Sequence, residues 1–103
     1  MTRHVVAKRF KLAGIEINTV MKDRLIADDD AVGEASYRTG EIYLQKVMDG
    51  VPLISQRQEQ AFCHELTHWI LHQMNHKLAS DEVFVDNFGS YLHQFLTTAE
   101  YDE

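Results

Sequence analysis

The run His64-Glu65-Leu66-Thr67-His68 places two histidines four residues apart, with a glutamate directly after the first. Imidazoles one helical turn apart share a tetrahedral ion such as Zn2+, so the spacing does its chemistry only on a helix. Helical residues are separated by about 100°, which puts His68 near 40° and Glu65 near 100° when His64 is set at 0°. Phe62, Leu66, Trp69, Ile70 and Met74 fall on a separate apolar arc, leaving a polar strip for the two histidines. Glu65 is turned aside from the pair. It is placed to take a proton from the attacking water as a general base rather than to ligate the ion.

Two histidines cannot hold zinc alone, and the chain must supply a third ligand. His72 and His76 continue the four-residue spacing, but His72 lies roughly 12 Å along a straight helix from His64, too far to share one ion with it. They read as solvated or capping residues. Cys63 points to the apolar side of the helix and reads as a small core residue. The candidate third ligand is Glu82, at the start of a second helical run. Asp86 lies one turn later on the same face, where it can accept the free N–H of a ligand histidine and fix its orientation. Gly89 continues that face and would let the two helices approach closely. Phe84, Phe88, Tyr91, Leu92 and Phe95 form an adjoining apolar arc.

The elements around these residues change character midway along the chain. From about Val5 to Leu44 the segments are short and rich in β-formers, punctuated by Gly14, Gly33 and Gly40. Phe10, Leu12, Ile15, Ile17 and Val20 indicate one or two strands around Gly14. The runs 35–38 and 41–44 flank Thr39-Gly40 and read as a hairpin with a two-residue turn. Asp28-Asp29-Asp30 lacks the alternating ligand spacing of a calcium loop and reads as a solvated turn. The second half is helical. Ser55 and Gln58 have capping-box spacing, and the first helix is expected from about Gln56 to His72–Asn75. Ser80 or Asp81 then caps a second helix reaching about Thr97. The expected fold is α+β, in one domain spanning residues 1–103. A small, mostly antiparallel sheet precedes the HExxH helix and the helix carrying the third zinc ligand.

Composition narrows the function classes. A net charge of -6 with no long basic stretch argues against nucleic acid or an anionic membrane surface as a partner. The single cysteine precludes an intramolecular disulfide and fits a reducing compartment. No apolar stretch follows the basic first residues, and no run reaches the roughly 18 residues of a membrane span, so a cytoplasmic location is expected. A chain of 103 residues buries one modest core, to which a bound metal adds useful stability.

His-Glu-Leu-Thr-His followed by Glu82-Val83-Phe84-Val85-Asp86-Asn87-Phe88-Gly89 resembles the Glu-x-x-Ala-(Asn/Asp)-x-Phe-Ala signature of the ImmA/IrrE-type metallopeptidases. Those belong to the gluzincins, and the short step from His68 to Glu82 is similar to that of single-domain minigluzincins. The likeness runs from about Glu59 to Leu96. Val85 stands where the family has Ala or Ser, Gly89 where it has Ala, and the Leu-Leu-Met-Pro ending is absent. The resemblance implies His64, His68 and Glu82 as zinc ligands, Glu65 as catalytic base and Asp86 as partner of a ligand histidine. It also implies a protein or peptide substrate, transcription regulators among them, and a phage or mobile-element source. An extended substrate would pair with a strand around Ile42–Leu44. An oxyanion-stabilising side chain is needed as well, with Tyr37, Tyr43, Tyr91, His72 and His93 as candidates. The rival expectation is a metal-stabilised regulatory or interaction domain that keeps the fold without catalysis. A retained Glu65 favours the enzyme, because a structural zinc has no use for a base.

Overall fold

The computed structural model describes residues 5–23, 32–48 and 50–102. Asp28-Asp29-Asp30 and the first four residues lie outside these, so the expectations for them rest on sequence alone. The fold is α+β, with a small, mostly antiparallel sheet followed by two helices. β1 (Arg9–Leu12), β2 (Ile15–Lys22), β3 (Gly33–Ser36) and β4 (Glu41–Gln45) form a sheet in the order β1-β2-β4-β3. β5 (Val47–Met48) and β6 (Val51–Pro52) form a separate two-stranded ribbon, and α1 (Ser55–Gln73) and α2 (Glu82–Thr98) complete the chain.

The β1–β2 hairpin turns at Ala13 and Gly14, both at positive φ (51° and 79°), the geometry that matches the twist of paired strands. The β3–β4 hairpin is looser than its sequence suggests. Ser36 pairs with Glu41, leaving a four-residue connection, Tyr37–Gly40, rather than a two-residue turn. Thr39 Oγ1 donates to Ser36 Oγ at 2.7 Å, and Gly40 supplies the positive φ of 73°. β4 pairs antiparallel with β3 on one side and parallel with β2 on the other. Strand pairing therefore fills both edges of β4.

That central position explains its burial. Ile42 and Leu44 are fully enclosed with Ile17 of β2 beneath α1, which contributes Ala61, Phe62, Cys63 and Trp69. Phe10 meets Phe62 edge-on at 5.9 Å. The Trp69 indole donates to the Glu41 carbonyl at 3.1 Å, tying the second half of α1 to β4. Truncating one such enclosed side chain, Leu44→Ala, removes about 2–5 kcal/mol through lost transfer energy and the cavity left behind.

α1 begins one residue earlier than expected, and this removes the anticipated cap. Ile54 occupies the N-cap position without a side-chain bond, and Ser55 is already helical, so no Ser55–Gln58 capping box forms. At the other end Asn75 adopts φ 52°. Its N–H donates to His72 O, and the His76 N–H donates to Leu71 O, both at 2.9 Å. This is a Schellman closure with asparagine in the position usually held by glycine. Met74, expected on the apolar face, is the C-cap and is exposed. His76 Nδ1 accepts from Leu78 N and so starts the 3-10 turn Lys77–Ser80. Asp81 then caps α2 through the Phe84 N–H at 3.0 Å. No helix among the described residues is long and apolar enough to cross a membrane.

Candidate metal centre

α1 and α2 touch where Gly89 meets His64. A Cβ at Gly89 would lie 3.1 Å from both Cα and N of His64, so only glycine allows this approach without a shift. The contact brings Glu82, two turns earlier on α2, over the two histidines of α1. Glu82 Oε2 is 3.1 Å from His64 Nε2, and Oε1 is 3.0 Å from His68 Nε2. The two imidazoles stand at 68° to each other with centroids 4.9 Å apart. Both Nε2 atoms and one carboxylate thus converge on a single point.

The outer nitrogens also face acceptors, one of them at hydrogen-bond distance. His68 Nδ1 is 2.7 Å from the carbonyl of Ala79, in the 3-10 turn that joins the helices. A carbonyl only accepts, so Nδ1 carries a proton, and in the neutral imidazole Nε2 then presents its lone pair inward. On His64, Nδ1 lies 3.5 Å from Asp86 Oδ1. Asp86 therefore sits where the spacing places it, behind a histidine rather than among the inward-facing donors. The Ala79 carbonyl carries no side-chain signal and cannot be read from sequence.

Glu65 is buried beside the pair. One ligand atom each from His64, Glu65 and His68 lie within 4.8 Å of one another, and this group can hold a metal ion. Two carboxylates therefore compete for the third place. Glu65 is anchored from the other side by the Ala35 backbone N–H, whereas Glu82 is within hydrogen-bond distance of both inward nitrogens. Gly33 makes room for Glu65, since a Cβ there would come within 3.1 Å of Glu65 Cγ and Oε2. In sequence Gly33 reads only as punctuation between strands. Burial, reinforced by the nearby Glu82 and Glu34 carboxylates, pushes the Glu65 carboxyl up to about 8.

A cleft of about 480 Å3 opens on the site, bounded by Gly33 of β3, Arg57, Gln60 and His64 of α1, and Asp86 and Ser90 of α2. On the far side of Glu82, a second recess is lined by Glu34, Tyr37, Glu65, His68 and Ala79. Tyr37 is clamped there, stacked on His72 at 3.8 Å and edge-on to Trp69 at 5.1 Å. Burial, then the carboxylates of Glu65 and Glu82, raise its phenol above the usual range and keep it a proton donor. The remaining oxyanion candidates lie elsewhere. Tyr43 donates to Glu41, Tyr91 is exposed on α2, His93 bonds Glu59 at 2.9 Å, and His72 lies behind the Tyr37 ring.

The strand that the resemblance implies for substrate pairing has no free edge. Ile42–Leu44 lie in β4, whose two edges are already paired, while β3 is the sheet edge nearest Glu65. Gln45 N donates to Val32 O, so ladder alternation turns the backbone groups of Gly33 and Ala35 away from β4. The Ala35 N–H is occupied by Glu65; the two carbonyls face outward.

No protein-family model matches the chain, and searches of curated proteins and of solved structures find no match either.

Proposed function

We propose that this chain is a zinc metallopeptidase in which His64, His68 and Glu82 hold the ion and Glu65 is the general base. The observation that carries this reading is the meeting of His68 Nε2 with Glu82 Oε1 at 3.0 Å while His68 Nδ1 is committed to the Ala79 carbonyl. With its proton on Nδ1, the imidazole faces a carboxylate oxygen lone pair to lone pair. Either a proton or a metal cation must lie between the two atoms, and the second imidazole, His64 Nε2 at 3.1 Å from the same carboxylate, supports the metal. Two imidazole nitrogens and one carboxylate form the donor set of catalytic zinc sites that leave a fourth position open. Bound zinc would supply Lewis acidity, polarising the scissile carbonyl and making water more acidic.

The chain's own residues have separate tasks. Ala79 and Asp86 orient the histidines, as carbonyl and carboxylate partners do at metal sites. Glu65, held by the Ala35 N–H and screened from solvent, takes the proton of the attacking water and returns it to the leaving amine. Beside a bound dication Glu65 would ionise more readily and so serve as a working base. Tyr37 donates its phenolic proton to the developing oxyanion from the recess beside His68. An extended peptide lies along the outer edge of β3, bonded to the free carbonyls of Gly33 and Ala35. The substrate is accordingly an unstructured stretch of protein or peptide, and a transcription regulator of the kind implied by the ImmA/IrrE resemblance is one such substrate.

The test is hydrolysis of an unfolded polypeptide by the zinc-loaded protein and by Glu65→Gln. The wild type is expected to cleave, and the variant to keep its zinc and lose cleavage. Equal cleavage by both removes Glu65 as base. Absence of cleavage by a fully zinc-loaded wild type over a broad peptide library supports a non-catalytic regulatory domain instead.

A further inference from the structure

α2 carries a second face that the metal centre does not use. Val85, Gly89 and His93 are its buried line against α1. On the far side Phe84, Phe88, Tyr91 and Phe95 fall within about 60° of one another on the helical wheel. The last three are 48%, 74% and 57% exposed, and the Phe84 and Phe88 rings stack at 5.9 Å. Aromatic side chains of this size present roughly 150–250 Å2 each, so these exposures leave about 350 Å2 of ring surface in water. That is the size of the largest apolar patch on a typical monomer, which is often functional.

We infer that this stripe is a dimerisation surface, and that its occupant is the α2 stripe of a second copy of the chain. The spacing is self-complementary. The four aromatics follow a 4-3-4 pattern, the interval of a coiled-coil seam, and the pattern reads the same in both directions. An antiparallel pair about a twofold axis between residues 89 and 90 sets Phe88 against Tyr91 of the other copy, and Phe84 against Phe95. Such a contact is isologous and closes at two copies.

Charge permits it. The chain carries a net charge of -6, which opposes self-association in general. Within α2, however, the acids are Glu82 and Asp86, both turned toward the histidines of α1. The stripe is flanked by Asn87, Gln94 and Thr98, so no like charges meet across the axis. Both copies' aromatic rings with these flanking residues cover on the order of 1,000 Å2, the lower bound for a specific interface, which sets a reversible rather than an obligate dimer. The metal centre and its cleft lie on the opposite side of α2 and stay open in each copy.

Sedimentation equilibrium of the zinc-loaded protein over a concentration series tests the pairing. The wild type is expected to approach twice the monomer mass at high micromolar concentration. Phe88→Lys and Tyr91→Glu should each raise the dimer dissociation constant by about 10-fold or more, as loss of an aromatic anchor does. The double variant sets the introduced lysine of one copy against the introduced glutamate of the other and should recover much of the association. Gln56→Glu, an exposed position at the start of α1 away from the stripe, should change it little. The substituted positions are exposed, and circular dichroism with zinc content verifies that each variant is folded. A wild type that stays monomeric throughout overturns the inference, as does a dimer that the stripe variants leave intact. A monomer that captures a different protein through this face overturns it equally.

Discussion

Gly89→Ala adds one methyl group where α2 rests on α1, and two opposing effects decide its outcome. Alanine gains about 1 kcal/mol over glycine in a helix interior. The new Cβ, however, would sit 3.1 Å from His64 Cα and N and 3.3 Å from Cys63 C. Carbon contacts are optimal at roughly 3.5–4.0 Å, so the helices must separate by several tenths of an ångström. The opposing atoms are backbone within α1 and cannot rotate aside as a side chain would. Such overpacking costs about 1–3 kcal/mol, which outweighs the propensity gain and leaves a net loss of about 1 kcal/mol. The same displacement lifts Glu82 and Asp86 from the histidines, and metal affinity should fall about 10-fold, the lower end for disturbed ligand supports. Urea unfolding of metal-free protein, followed through the buried Trp69, reads the first effect, and chelator competition reads the second. A Gly89→Ala variant as stable as wild type with unchanged zinc affinity refutes this account of the helix contact.

Glu82→Ala should lose zinc to a weak chelator as readily as His68→Ala, whereas Asp86→Asn should keep zinc and weaken it by about 10- to 100-fold. The reverse ranking would make Asp86 the ligand. Tyr37→Phe should retain zinc and lower kcat more than KM rises, since the phenol acts on charge that develops in the reaction; unchanged kcat removes it from the mechanism. Glu65 also predicts a pH dependence of stability in the chelated protein. Its folded pKa of about 8 exceeds the unfolded 4.5, so its contribution is complete below 4.5 and is lost as pH rises through 8. The slope approaches about 1.4 kcal/mol per pH unit within that window, and Glu65→Gln should remove this component. A variant with the wild-type slope contradicts the buried position of the carboxyl.

What the sequence disclosed followed from how local each signal is. The α1 and α2 patterns repeat every three to four residues, so both helices, the faces of His64, Glu65 and His68, the Asp81 cap and the close approach at Gly89 were legible. Glu82 over both histidines, with Asp86 behind His64, also follows from one helical face. The failures are non-local. Nothing in residues 41–45 distinguishes a central strand from an edge, because their parallel partner, β2, lies more than 20 residues away in sequence. The resemblance implies substrate pairing at the Ile42–Leu44 strand, β4, whereas the open edge near Glu65 is β3. The Ala79 carbonyl is a backbone group, and the space that Gly33 leaves for Glu65 depends on where β3 crosses α1. Ser55–Gln58 has the letters of a capping box, but the helix begins one residue too early for the bond to form.

Zinc stoichiometry by equilibrium dialysis, read with elemental analysis, tests the central claim most directly. The convergence of His64 Nε2, His68 Nε2 and the Glu82 carboxylate predicts one zinc per wild-type chain, and none retained by His64→Ala under the same dialysis. A folded wild-type protein that binds no zinc, or that binds it equally well without His64, would contradict the account.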